Sequence, residues 1–226
     1  MDQALTRPTT QLNLVAAVAF VVGGSLFALG AAFAQLGVVS LPTVNVTYLV
    51  GGCFFSLGGY VSILLANNTD TDTGERTPWW RFRPHSRSWL SAYVLFVGTL
   101  FFAVSLVAAF AAGLTPRQSD GWIWLPDMTG CVCFLVSGRL AMLDVGAGRV
   151  RVLAHLVGWW VVAVNQLGSV LFFLAGIAAF TRPATSDEIN TGLVNWGTFA
   201  GAVCFAVGGV IQALDTPTTT RTAVQP

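Results

Sequence analysis

Lysine is absent from this chain of 226 residues, and all 11 basic side chains are arginine. That absence excludes a lysine Schiff base and the phosphate-gripping lysine of a Walker loop. Charge of either sign is scarce. Only 9% of residues are charged, against roughly 25% in soluble domains, so the chain lacks the polar surface to cover a water-facing globule. No nucleophile-and-base pair, metal-ligand cluster or phosphate-cradling loop is present, and the segments between apolar runs are too short for a catalytic domain. No catalytic residue, cofactor or metal is therefore assigned, and an enzyme is not expected. Net charge is +1, which implies no global electrostatic partner. Missing lysine with abundant Ala, Val and Gly suggests a GC-rich bacterial genome.

What the chain has is apolar length, with a mean hydropathy of +0.70. Apolar runs cover residues 13–35, 45–66, 89–113, 122–143, 156–181 and 190–214. A helix needs about 20 residues to cross a ~30 Å hydrocarbon core, and each run is long enough. Lipid forces every backbone group to pair within its own segment, so the runs are predicted to be helices. The first run, with Arg7 before it and "AAFAQ" (Ala31 to Gln35) after it, resembles a secretory signal. It is longer than a signal core of roughly 7–15 residues, and its pattern recurs later, so it is kept as the first span.

Arginine near short loops marks the cytoplasmic side. Arg76, Arg81, Arg83 and Arg87 lie between spans two and three, and Arg149 and Arg151 between four and five. Arg7 and Arg221 fall in the tails, and only Arg117 and Arg182 lie opposite. Tryptophans cluster near span ends in agreement. The expected organisation is a cytoplasmic tail (1–12), hairpin one (13–66), a cytoplasmic loop (67–88), hairpin two (89–144), a short loop (145–155), hairpin three (156–215) and a cytoplasmic tail (216–226). The expected location is the bacterial inner membrane.

The chain also repeats itself. Odd spans share "GSLFALGAAF" from Gly24, "GTLFFAVSLVAAF" from Gly98 and "GSVLFFLAGIAAF" from Gly168. Even spans share "CFFSLGGYVSIL" from Cys53, "CFLVSGRLAMLD" from Cys133 and "CFAVGGVIQALD" from Cys204, aligning Gly58, Gly138 and Gly209. The expected fold is an all-α membrane protein of six transmembrane helices, arranged as three tandem hairpins in parallel orientation. The Gly-Ser-Leu/Val-Phe/Leu first helix, with a small-x-x-x-Gly second helix, resembles YrhK-like domains, short bacterial two-helix membrane modules. The resemblance implies three such modules in tandem and carries over no catalytic residue.

Departures from the repeat are the candidate sites. Cys131 and Cys133 are ~200° apart on a helix and cannot share an ion. The alignment allows Cys53, Cys133 and Cys204 to converge on a soft metal, against the plainer reading of small-residue packing. Arg139 lies ~7 Å inside the cytoplasmic end of span four. It either snorkels or pairs, and Asp215 of span six, at matching depth with Gln212, is its expected partner. Asp144, about 140° round the same helix, is a poor one. With Arg139 these residues form a candidate polar or lipid-phosphate site. Asn165 and Gln166 form a candidate midplane polar pair, aligned with Leu95-Phe96 and Val21-Val22. Asp127 reads as too shallow for a midplane relay. Trp79, Trp80, Arg81, Arg83 and Arg87 form an interfacial anchor for membrane lipids; nucleic acid is not expected there.

Small residues at close-packing spacing favour tight helix association, within the chain or with other integral membrane proteins. The expected function is a non-enzymatic accessory subunit or scaffold, within an envelope or lipid transport complex. The alternative is a small transporter or channel around Asn165, Gln166 and Arg139, distinguished by a cavity that reaches Asn165.

Overall fold

The structure, a computed structural model, describes residues 3–69 and 81–215, with side chains from residue 9 onward. Trp79, Trp80 and the C-terminal tail lie outside the described residues. The chain is all-α, with six helices long and apolar enough to cross a membrane. They are α1 (Gln3–Leu36), α2 (Leu41–Thr69), α3 (Arg87–Ala108), α4 (Pro116–Val145), α5 (Val157–Ala178) and α6 (Thr191–Leu214). Even a helix of 22 residues spans about 33 Å, enough for the hydrocarbon core.

Local chemistry sets the helix ends. Gly37 stops α1 in the left-handed region, φ +63°, and its N–H reaches back to the Phe33 carbonyl. Ser86 and Asn190 cap α3 and α6 by accepting from the amides of Trp89 and Leu193. α4 begins earlier than its apolar run predicts. Thr115 and Gln118 form a capping box around Pro116 there, and a π turn at Asp120–Trp124 carries the helix on.

Each helix packs on its neighbours in sequence, and α1 closes the ring against α6. Neighbours run antiparallel. Phe20, Gly23, Phe27 and Gly30 of α1 meet Gly58, Phe55, Gly51 and Tyr48 of α2 in reverse order. At the closing seam, Gly24 abuts Ala202 and Ala206 while Gly209 abuts Ala17 and Val21. Residues 37–40, 109–115 and 179–190 therefore lie at one end of the ring, called here the hairpin end. The opposite, tail end carries 81–86, 146–156 and Asp215.

Lipid is as apolar as leucine, so helices in a bilayer associate through close packing rather than through exclusion of water. Each helix supplies this with one Gly-x-x-x-Phe. Phe55 lies on Gly23 and Phe27 on Gly51; Phe134 lies on Gly98 and Phe102 on Gly130; Phe205 lies on Gly168 and Phe172 on Gly201. A Cβ on any of these glycines would come within 2.5–3.1 Å of the facing ring, so only glycine lets ring and backbone meet. The six rings fill the centre in two layers. Phe55, Phe134 and Phe205 touch mutually, with centroids 5.4, 5.6 and 6.4 Å apart. Phe172 bridges Phe27 and Phe102 in the second layer, at 6.2 and 6.3 Å.

This register corrects the sequence alignment by one residue in α1 and α2. Gly23, not Gly24, corresponds to Gly98 and Gly168, and Gly59, not Gly58, corresponds to Gly138 and Gly209. Cys53 then matches Val132 and Val203, and all three are exposed on the outside of the ring. The three cysteines share neither register nor a common point, so the converging-thiolate reading fails. Among the described residues no group of His, Cys, Asp or Glu is arranged to hold a metal ion.

Candidate functional site

Two cavities approach the phenylalanine layers from opposite ends. The wider one, about 360 Å³, opens towards the hairpin end and has Phe27, Phe102 and Phe172 as its floor. Its walls carry Asn45 and Tyr48 from α2, Asp127 and Cys131 from α4, Asn195 from α6 and Glu188 from the α5–α6 loop. The narrower one, about 100 Å³, lies towards the tail end, under Phe134 and Phe205. Ser91, Ser137, Asn165 and Ser169 line it. The floor of one is the odd-helix phenylalanine layer, and the roof of the other is formed by the even-helix layer. The two cavities therefore lie on opposite sides of the aromatic layers.

Among the polar residues lining the narrow cavity, Asn165 has a buried side-chain atom with no hydrogen-bond partner. Ser91 and Ser137 satisfy each other, each hydroxyl donating to the other's carbonyl at 2.9 and 2.8 Å. Ser169 donates to the Asn165 carbonyl at 3.0 Å. The Asn165 side-chain oxygen is buried without a partner, against Gly208 of α6. In the other hairpins the same position holds Phe20, facing Gly58, and Leu95, facing Ser137. A buried unpaired carbonyl costs roughly 1–3 kcal/mol, and packing alone gives no reason for it.

Gln166 does not join Asn165. One residue further round α5, it turns to Gly138 of α4, and its Oε1 is likewise buried and unpartnered. The pair is split between two helix contacts, and only Asn165 opens on a cavity.

The Arg139 site is also taken apart. Arg139 is exposed on α4, and α5 stands between α4 and α6 in the ring. Matching depth did not mean adjacency. Gln212 and Asp215 instead lock the α1–α6 seam through Asn13, which the sequence reading missed. Asn13 Nδ2 donates to the carbonyls of Gln212 and Asp215 at 2.9 and 3.0 Å, and Gln212 Nε2 donates to Asn13 Oδ1 at 3.1 Å. The Asp215 carboxylate faces Gly158, where partial burial pushes its carboxyl above the ordinary range. Among the described residues no ion pair joins Arg139 to Asp215. Asp144 is exposed on α4.

Of the anchor residues, Arg81 and Arg87 are exposed and Arg83 is half-buried. The Arg87 guanidinium lies over Gly148 in the loop between α4 and α5. Trp89, by contrast, is buried, stacked on Tyr93 at 4.9 Å with Phe82 at its edge.

At the hairpin end, α4 and the α5–α6 loop hold the wide cavity in shape. The Asp120 carboxylate accepts from the Thr181 amide at 3.0 Å, and the Trp124 indole donates to the Gly176 carbonyl at 2.8 Å. Asp127 sits 11 residues inside α4, or about 16 Å along the helix. It stands beside Gly176, two residues from the end of α5, so the first turns of α4 overhang the neighbouring helix and Asp127 lies close to the hairpin end. Cys131 Sγ lies 4.0 Å from its carboxylate.

No family model matches the chain, and no curated protein or solved structure is significantly similar to it.

Proposed function

We propose that this multi-pass membrane protein is a small transporter or channel that passes a solute along the axis of its helical ring. The observation that supports it is the pair of cavities meeting the same aromatic plug from opposite ends, with Asn165, whose amide oxygen is buried and unpaired, among the residues lining the narrower one. Buried polar atoms inside a membrane bundle mark paths for polar solutes. The path-lining set is Asn165 with Ser91, Ser137 and Ser169. Arg139 and Gln166, expected to share it, lie elsewhere.

The scaffold reading drew on plain, small-residue helices, with Gly58, Gly138 and Gly209 packing within the chain or against a partner. Those glycines are covered inside the chain: Gly58 by Phe20, Gly138 by Gln166, and Gly209 by the backbone of α1. Arginine distribution supports placing the tail end in the bacterial cytoplasm, so that the wide cavity faces outward. Impermeant maleimide on whole cells checks this orientation. A cysteine replacing the exposed Val38 reacts directly, whereas one replacing the exposed Val152 reacts only after permeabilisation.

The test of transport is reconstitution into sealed vesicles, with efflux followed for a panel of small polar solutes. Flux above that of empty vesicles is expected for at least one of them. Asn165→Leu is expected to reduce that flux at least tenfold. It should leave the unfolding temperature unchanged or higher, because an apolar group of similar shape replaces an unsatisfied oxygen. A wild-type chain that inserts correctly yet moves none of the panel would sink the reading.

A further inference from the structure

We infer that the wide cavity at the hairpin end is a binding site for a small organic cation, a protonated or quaternary amine. Its sense as a substrate site rests on the transport reading; the binding itself does not.

The volume sets the scale. About 360 Å³ holds roughly a dozen water-sized groups, which lies within the range of small-molecule sites. The sign of charge is one-sided. Asp127 and Glu188 are the charged residues of the lining, with no arginine or histidine among them. The nearest loop cation is spoken for: Arg182 donates to the backbone carbonyl of Glu188 at 3.1 Å. Beside the Asp127 carboxylate stand Cys131 Sγ and, across Gly176, Met128 Sδ, with the Tyr48 phenol in the same lining. A carboxylate held in an apolar wall without a counter-charge is costly, and a cation in the adjoining space relieves that cost.

The remaining walls choose among cations. Phe27, Phe102, Phe172, Tyr48 and Trp124 line the same space. Aromatic faces attract amines and quaternary ammonium groups through their quadrupole. Inorganic cations need several oxygen ligands, whereas among the described residues no group of His, Cys, Asp or Glu is arranged to hold one. The Asn45 amide is already bonded to the Ala109 carbonyl at 3.0 Å, and that of Asn195 to Gln35 at 3.1 Å. One buried carboxylate above a floor of three aromatic rings matches a single positive nitrogen carrying carbon substituents.

The experiment uses the full chain in mild detergent, with benzylammonium and tetramethylammonium as probes and benzyl alcohol and sodium chloride as controls. Both ammonium probes are expected to raise the unfolding temperature saturably, and the controls are not. Asp127→Asn is expected to weaken benzylammonium binding, measured by calorimetry, at least tenfold. Glu188→Gln, at the cavity rim, is expected to weaken it by a smaller factor, and it carries the test should Asp127→Asn fail to fold. An equal response to benzyl alcohol, an equal response to sodium, or undiminished binding in the variants would each overturn the site. Binding without flux in vesicles leaves the site standing and removes the transport reading. Flux indifferent to saturating benzylammonium and to Asp127→Asn keeps transport and removes the cavity's role as its substrate site.

Discussion

Phe55→Ala is expected to join the two cavities into one continuous passage and to make sealed vesicles leak. Phe55 sits at the hub of the plug, with ring contacts to Phe20, Phe27, Phe134 and Phe205 at 5.9, 5.3, 6.4 and 5.4 Å. It also lies against Gly23, which has no side chain to fill the space from that side. Removing a buried phenylalanine costs about 3–5 kcal/mol in well-packed cores. A lower unfolding temperature should therefore accompany a solute efflux at least ten times that of the parent. Phe101→Ala is the control, because Phe101 faces outward and is 38% exposed. Its efflux should match the parent's. If folded Phe55→Ala protein leaks no faster than Phe101→Ala, the aromatic layers are not what closes the axis.

Gly24→Val should disrupt the ring itself. A Cβ there would stand 2.8 Å from both the Ala202 carbonyl oxygen and the Ala206 nitrogen. Both are backbone atoms of α6, so neither can swing aside, and the helices must separate. Overpacking of this kind costs about 1–3 kcal/mol or more. Here it also strains the Asn13–Gln212 bonds on the same seam, about three turns away along α1. The expected result is a markedly lower thermal midpoint and a broadened or shifted size-exclusion profile. Gly121→Ala, where nothing lies within 4 Å of a new Cβ, should behave as the parent. An unchanged midpoint for Gly24→Val would mean that α1 and α6 do not approach as described.

The helices were legible because lipid leaves the backbone no alternative, so length and apolarity suffice to find them. Azimuth was harder to read. Gly23-Gly24 and Gly58-Gly59 are doublets, and either member can serve as the anchor of an alignment. On a helix one residue is about 100° of rotation, so the choice decides which side chains point inward. Choosing Gly24 and Cys53 moved the first hairpin out of phase and hid the Gly-x-x-x-Phe pattern common to all six helices. Arg139 and Asp215 failed for a related reason: the repeat gives height in the membrane but not the order of helices around the ring. The early start of α4 was hidden because its polar beginning, "TPRQSDGW", does not look like membrane helix. Its Thr-Pro-x-Gln capping signature was the signal that would have moved the helix boundary.

The seam between α1 and α6 also has a history in time. Asn13 and its partner Gln212 are 199 residues apart. At a synthesis rate of roughly 5–20 residues per second, the first helix waits on the order of ten seconds or more for the last. Through that interval the nascent protein lies in the bilayer as an unclosed arc, with the Asn13 amide and the bare backbone at Gly24 facing whatever stands beside them. A membrane insertase, or merely lipid, must shelter that edge until translation delivers the final span.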